Sequence, residues 1–317
     1  MRPDERPKIH KVDFNTLNNV KDVAGLDSEK GECADICNCY QTVDGVQSRR
    51  QGYTITEVTT ACRNAFTTQA GGFYVSGGTL YQYPDITVGS ISGEVCYCDL
   101  EDTLVYSSLM GTKFHPDWID ISVHELDAEF EEDISEFSAQ ALAYWNGRLY
   151  LGVSGELICS KPFKFSKYDY RQKVAATFTD GIVGLAALNS GLYVFTRSQV
   201  YFLSGSDPFN EDFKQQIVLP YGAMPGNHFQ TCPAGFVNKE QSGKAVLFVS
   251  LKGICVGFEG GQVLNLSQDN ISYPLGTSCT GVLMERDGAN VYIINILNND
   301  NTPYNANNAW VMDIDSF

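Results

Sequence analysis

The sequence predicts an all-β fold, a β-propeller of six or seven blades behind an extended N-terminal arm, and three observations carry that expectation. Short apolar-aromatic runs recur along the 317 residues: Gly72-Phe73-Tyr74-Val75, Thr103-Leu104-Val105-Tyr106, Arg148-Leu149-Tyr150-Leu151, Gly191-Leu192-Tyr193-Val194, Val246-Leu247-Phe248-Val249 and Asn290-Val291-Tyr292-Ile293. Aligned on the aromatic, successive runs are 32, 44, 43, 55 and 44 residues apart. Three of these steps match a four-stranded blade. Each run is also followed by a tight turn and a second strand, as in Ser76-Gly77-Gly78 before Thr79-Leu80-Tyr81, or Leu251-Lys252-Gly253 before Ile254-Cys255-Val256. Radial repetition protects the open edges that such hairpins would otherwise expose.

Taken in chain order, residues 1–34 lack apolar periodicity and are rich in charge, Asn, Gly and Pro, so they read as an arm reaching neighbouring subunits. Residues 35–317 read as the propeller domain. Its first hairpin is expected at Ile36–Tyr40 and Gly45–Arg49, turning through Val43-Asp44-Gly45. A strand precedes several hairpins, for instance Ala141-Leu142-Ala143-Tyr144 before Trp145-Asn146-Gly147. An acidic insertion at about 124–137 holds seven carboxylates between Glu125 and Phe137, interleaved with Leu126, Phe130, Ile134 and Phe137. That spacing predicts a short amphipathic helix docked between blades, with a solvated acidic face. The final run Asn308–Ile314 is expected to close the ring on the early hairpin. The steps of 32 and 55 residues mark blades expected to be degenerate or to carry insertions.

Hydrophobic residues make up 43% of the chain and the formal net charge is −16. An acidic chain is a poor partner for phosphate backbones, whose binding needs Lys and Arg to release counterions. The N-terminal stretch Met1–Lys8 lacks the apolar core of a secretory signal, and no run approaches a membrane span, so the expectation is assembly in a cytoplasm without membrane contact.

Catalytic and metal chemistry find little support in the residue pattern. The four histidines (His10, His115, His124, His228) form no close pair, and no nucleophile elbow is present. Cys33, Cys37, Cys39, Cys62, Cys96 and Cys98 come nearest to a zinc cluster, yet they lack paired CxxC knuckles. Ordinary free thiols are the default there, with a structural zinc and a chance disulfide between neighbouring strands standing level as alternatives. Phe258-Glu259-Gly260-Gly261 is not followed by the Lys-Ser/Thr of a phosphate loop. Trp145, Tyr168, Tyr170 and Tyr221 stand beside turns, where rings either stack on sugars or, by default, pack in the core. No catalytic, cofactor or metal residue is therefore assigned, and the chain is expected not to be an enzyme.

A set of motifs in fixed order resembles a family of tailed-bacteriophage virion proteins. They are Asn18-Asn19-Val20, Ala34–Asn38, Asp44–Tyr53, Trp145-Asn146-Gly147-Arg148-Leu149-Tyr150, Ser160-Lys161-Pro162, Val200–Pro208, Tyr221-Gly222-Ala223-Met224-Pro225-Gly226, Gly253–Gly257 and Gly261–Leu266. More distantly, the chain is similar to the propeller-bearing tail accessory factors of short-tailed phages, the packaged-DNA stabilisation proteins. The resemblance implies a structural virion component, assembled in several copies around the tail axis against other tail or portal proteins, with no catalytic residues to transfer. It also implies a position near the DNA exit channel, where an acidic lumen would let DNA pass without sticking. The alternatives are a carbohydrate-binding propeller for host recognition and a glycosidase, which needs convergent carboxylates in a funnel.

Overall fold

A computed structural model describes residues 63–68, 71–118, 128–267, 278–286, 289–297 and 309–314, together with 16–17, 32–33, 39–41 and 47–49 near the N-terminus. The protein is all-β, and among the described residues no α-helix occurs. Six antiparallel sheets of three or four strands follow one another as up-and-down meanders, with the strand Lys167–Asp169 of a separate small sheet intervening in the third. The first blade is Arg63–Thr68, Gly71–Ser76, Thr79–Gln82 and Ile86–Ser90. The second has three strands, Cys96–Leu100, Thr103–Ser108 and Gly111–His115. Ala141–Trp145, Arg148–Val153, Glu156–Cys159 and Val174–Thr177 make the third. The fourth is Ile182–Ala187, Leu192–Thr196, Val200–Ser204 and Lys214–Leu219. Gln230–Pro233, Lys244–Ser250, Gly253–Phe258 and Val263–Asn265 form the fifth, and Ser278–Arg286, Ala289–Leu297 and Ala309–Asp313 the sixth.

Packing identifies these sheets as blades of a propeller. Five buried apolar clusters lie one between each consecutive pair of sheets, from Phe73–Leu80 against Tyr97–Tyr106 to Leu247–Phe258 against Tyr292–Ile314. Both faces of a middle blade are thus covered, which is why its strands read as continuous apolar runs instead of alternating ones. In Leu192–Thr196, Leu192 and Val194 point to the third blade while Tyr193 and Phe195 point to the fifth.

All six repeat aromatics sit in the second strand of their blade. They do not share a face. Tyr150 and Tyr193 point toward the following blade, whereas Tyr106, Phe248 and Tyr292 point toward the preceding one. The aromatic therefore marks the strand but not the register, because one residue of slip exchanges the faces of a strand.

Three expectations change. The 32-residue step is not a degenerate blade: the first blade has all four strands, joined by tight turns. The blade short of a strand is the second, and the acidic insertion occupies the place of its fourth strand in the chain. That insertion is not a helix. Its described part is a 3₁₀ turn Ala128–Phe130, a strand Glu131–Asp133 and a second 3₁₀ turn Ile134–Glu136. The strand pairs antiparallel with Lys167–Asp169 of the third blade's outer loop, a ladder that a helix would forgo and that brings the carboxylates to lysines. Residues 119–127 lie outside the described residues.

The predicted early hairpin is present as Cys39–Gln41 paired with Gln47–Arg49, but it forms its own two-stranded sheet. Ala309–Asp313 completes the sixth blade by pairing with Ala289–Leu297, so the expected closure between termini does not occur among the described strands. Of the arm at residues 1–34, only Thr16–Leu17 paired in parallel with Glu32–Cys33 is described.

Candidate functional site

Successive turns of an antiparallel meander alternate between the two faces of the disc. The first-to-second-strand turns, such as Asn146–Gly147 and Asn189–Ser190, lie on one face, and the second-to-third turns on the other. A cavity of about 570 Å³ opens among the innermost strands of the second to fifth blades. Its wall is Tyr97, Leu142, Tyr144, Trp145, Leu185 and Phe229, and its polar groups are Asp99, Asn146, Asn189, Thr231 and Lys244. Because Asn146, Asn189 and Lys244 belong to first-face turns or their borders, the cavity is a funnel opening on that face.

Asp99 and Lys244 are the charged residues of the lining. Partial burial pushes the Asp99 carboxyl up to about 6. Cys98 also lines the funnel, but burial foremost, with the Asp99 charge beside it, raises its thiol to about 12, so it carries no thiolate for catalysis. One carboxylate does not assemble the two-carboxyl machinery of sugar hydrolysis in this cavity.

The motifs singled out in the sequence meet at the junctions between blades. Asn146 Nδ2 donates to the Ser206 carbonyl at 2.5 Å, and Arg148 bridges the Ser160 carbonyl at 2.7 Å and the Asp207 carboxylate at 2.5 Å. Trp145–Tyr150 and Val200–Pro208 are thus the two halves of one latch between the third and fourth blades. Between the fourth and fifth, Glu259 accepts from the amides of Asn189 and Ser190 (3.2 and 2.8 Å), the Ser190 hydroxyl (2.5 Å) and the Lys244 amide (3.3 Å). The glycine-rich stretch after Phe258 therefore presents its own anion to backbone N–H groups. Gly257 is required beneath a ring, for a Cβ there would lie 2.7 Å from Tyr193 Cζ.

The third motif, Tyr221–Gly226, threads between three blades. Ala223 N–H donates to Thr196 of the fourth blade, Met224 N–H to Val249 of the fifth, and Cys279 N–H of the sixth to Pro225, at 2.8–3.0 Å. His228, fully buried, locks this connector: its Nε2–H donates to the Met224 carbonyl at 2.7 Å, and Val249 N–H donates to Nδ1 at 3.1 Å. Burial holds the imidazole neutral, lowering its pKa to about 4.

The acidic strap is built differently. Glu131 accepts from Lys161 (2.6 Å) and Lys164 (2.9 Å), and Asp133 from Lys167 (2.6 Å). The buried Tyr168 hydroxyl lies against the carboxylates of both Glu132 and Glu136. Burial, then those two acceptors, push its pKa up.

Among the other residues weighed in the sequence, Trp145 and Tyr168 are buried, Tyr170 is half exposed beside Phe130, and Tyr221 lies under the Lys252 ammonium. His115 lies edge-on to Phe73, away from the His228 connector, while His10 and His124 fall outside the described residues. Cys96 and Cys98 are free thiols; the side chains of Cys33 and Cys39 and all of Cys37 and Cys62 are outside what is described. No group of three His, Cys, Asp or Glu is placed to hold a metal among the described residues. The sequence reading missed Asp99 and Lys244. Their signal, a charge at the boundary of an innermost strand or its hairpin partner, needs the blade register before it can be read.

No protein-family model matches the chain, and no curated protein matches its sequence. Solved structures resemble it in outline: the N-terminal domain of Nup159 (9% identity, TM-score 0.47, 84% of this chain and 80% of that one), the computationally designed Ika8 protein (11%, 0.44, 80% and 71%) and Sqt1 of Saccharomyces cerevisiae (13%, 0.38, 68% and 64%).

Proposed function

We propose that the chain is a structural component of a bacteriophage tail, a ring, hub or portal-proximal accessory protein that acts through protein–protein contacts with further copies and other tail or portal proteins. The observation that carries this reading is the hairpin tip Leu109–Met110 on the face opposite the funnel. These side chains are 73% and 50% exposed, where turn chemistry ordinarily places polar residues. Leu251, at the equivalent tip of the fifth blade, is 42% exposed. An apolar tip held on a rigid blade is suited to docking. Among the motifs behind the phage resemblance, Asn18–Val20, Ala34–Asn38 and most of Asp44–Tyr53 lie outside the described residues, while Trp145–Tyr150, Val200–Pro208 and Tyr221–Gly226 add support because they form the latch and connector between blades. In this reading DNA passes along the axis of the assembled ring, outside the blade funnel.

The test is electron microscopy of the particle with antibody against the full chain, paired with the double variant L109D/M110D. Label on the tail, and failure of the double variant to enter particles while its circular dichroism and melting stay unchanged, are expected. A chain that never reaches the particle overturns the proposal, and specific signal on a glycan array would favour the carbohydrate-binding reading instead.

A further inference from the structure

The five buried clusters cover both faces of the second to fifth blades, but one face each of the first and the sixth. The innermost strands show the difference. In the third blade Ala141 and Ala143 point to the fourth blade and Leu142 to the second, and all three are buried. In the sixth, Cys279 and Leu283 pack against the fifth blade, whereas Val282 and Met284, in the alternate row, are 50% and 40% exposed. Val282 pairs with Ile293 and Met284 with Val291, so four apolar side chains gather on this one face. The first blade does not cover it. Ala65 and Thr67, on that blade's innermost strand and facing away from the second blade, are exposed as well. An apolar sheet face of this kind is stable when another layer packs on it.

We propose that the hairpin Cys39–Gln41 and Gln47–Arg49 of the same chain packs on this face, as the start of a seventh blade between the sixth and the first. Three observations select this occupant. The hairpin is an antiparallel sheet of its own, joined by strand pairing to none of the six blades. Chain order gives its place: each blade adjoins the one before it in sequence, so a sheet that precedes the first blade belongs on that blade's outward side, where the ring brings the sixth. Length permits it, because the 62 residues before Arg63 exceed the 43- or 44-residue step of one blade. Residues 50–62 tether the hairpin to the first blade and reach about 45 Å, against a spacing of about 10 Å between packed sheets. Such a tether holds the hairpin at an effective concentration of about millimolar or more, which favours it over a segment from a second copy.

The test places a photoreactive phenylalanine analogue at Val282, and separately at Met284, in the full chain, using an equal mixture of isotope-labelled and unlabelled protein. Both positions are exposed, so unchanged melting is the control for folding. Trypsin, cutting after Lys30 and Arg49, releases the hairpin as the peptide 31–49, and cutting after Arg63 and Lys113 it releases most of the first two blades as 64–113. Crosslinks to 31–49 within one chain, both halves carrying the same label, are expected. Crosslinks to 64–113 without 31–49 would mean that the sixth blade meets the first directly, and crosslinks between labelled and unlabelled chains would assign the face to a second copy. Either result overturns the inference, as does the absence of any crosslink to 31–49. The second measurement is hydrogen exchange of V282D/M284D, which sets two carboxylates on the face. Exchange across Cys39–Gln41 and Gln47–Arg49 should rise at least tenfold while Leu192–Thr196 keeps its rates; unchanged exchange in the hairpin also overturns the inference. Neither measurement involves the Leu109–Met110 tip, so failure here leaves the tail proposal standing.

Discussion

Two regions hold neighbouring blades together by opposite chemistry: the buried connector around His228, joining the fourth to sixth blades, and the acidic strap at 128–137, joining the second to the third. The connector is neutral. It uses backbone hydrogen bonds, a neutral imidazole, and the Tyr292 hydroxyl donating to the His228 carbonyl at 2.5 Å. It is flanked by Phe195, which stacks at 4.5 Å on Phe229 and packs at 4.7 Å on Phe248. The strap is ionic and partly wet: Lys167 and Asp133 keep 36% and 64% of their side-chain surface exposed. The connector should therefore share the global stability of the disc, whereas the strap should open locally and respond to salt and acid.

The largest expected effect is on the apolar side of the connector. Phe195→Ala removes a fully buried ring from the cluster between the fourth and fifth blades and should cost about 3–5 kcal/mol of unfolding free energy. Urea denaturation measures it. A loss below about 1 kcal/mol would mean that this junction collapses around the cavity and is not the rigid element argued above.

Acid titration of the connector comes next. The folded His228 pKa of about 4 lies below the ordinary imidazole value of 6.5. The unfolded chain therefore binds a proton in that window which the folded protein refuses. Stability is full above pH 6.5, falls as pH drops toward 4, and the loss saturates near about 3 kcal/mol. Protonation would place a hydrogen on Nδ1, where Val249 N–H already donates. Asp99 titrates in the opposite sense, since its raised pKa lets the folded state hold a proton near pH 6 that the unfolded chain releases. Unfolding curves should therefore be recorded in the Asp99→Asn background. His228→Gln should flatten the slope between pH 6.5 and 4.5; an unchanged slope would assign the acid sensitivity elsewhere.

This contrast also explains what the sequence revealed. Blade repeats were legible because a strand buried on both faces must be apolar throughout, and because Gly and Ser punctuate each turn. The strap was misread because its carboxylates recur at a helix-like spacing, while the partners that select a strand, Lys161, Lys164 and Lys167, lie some thirty residues downstream. Hydrophobic periodicity has no access to ion pairs made at that separation. The same holds for the latches: Trp145–Tyr150 and Val200–Pro208 were recognisable as motifs, but not as halves of one contact. Asp99 was invisible for a related reason, since nothing in a lone charge tells that its strand lines the same cavity as residues of the fifth blade.

The smallest effect tests the strap itself. Partial burial works to raise the Glu131 pKa, but hydrogen bonds from Lys161 and Lys164 outweigh it and hold the carboxyl below its usual 4.5. Its contribution is therefore present above about pH 4.5 and lost as pH falls below that, a window beneath the one expected for His228. Glu131→Gln keeps the shape and one acceptor but leaves two ammonium groups facing each other, a cost of about 1–2 kcal/mol. The strap ladder includes the Ile134 amide to Ser166 and the Tyr170 amide to Phe130, at 2.9 and 3.2 Å. In Glu131→Gln these two amides should exchange with deuterium about tenfold faster, while the Met224 and Ala223 amides of the connector keep their rates. High salt should reproduce the effect in the unmutated protein, because it weakens the lysine pairs and leaves the neutral connector unaffected. If the Ile134 and Tyr170 amides exchange only with the connector amides, the strap opens with the disc as a whole and the contrast between the two regions fails.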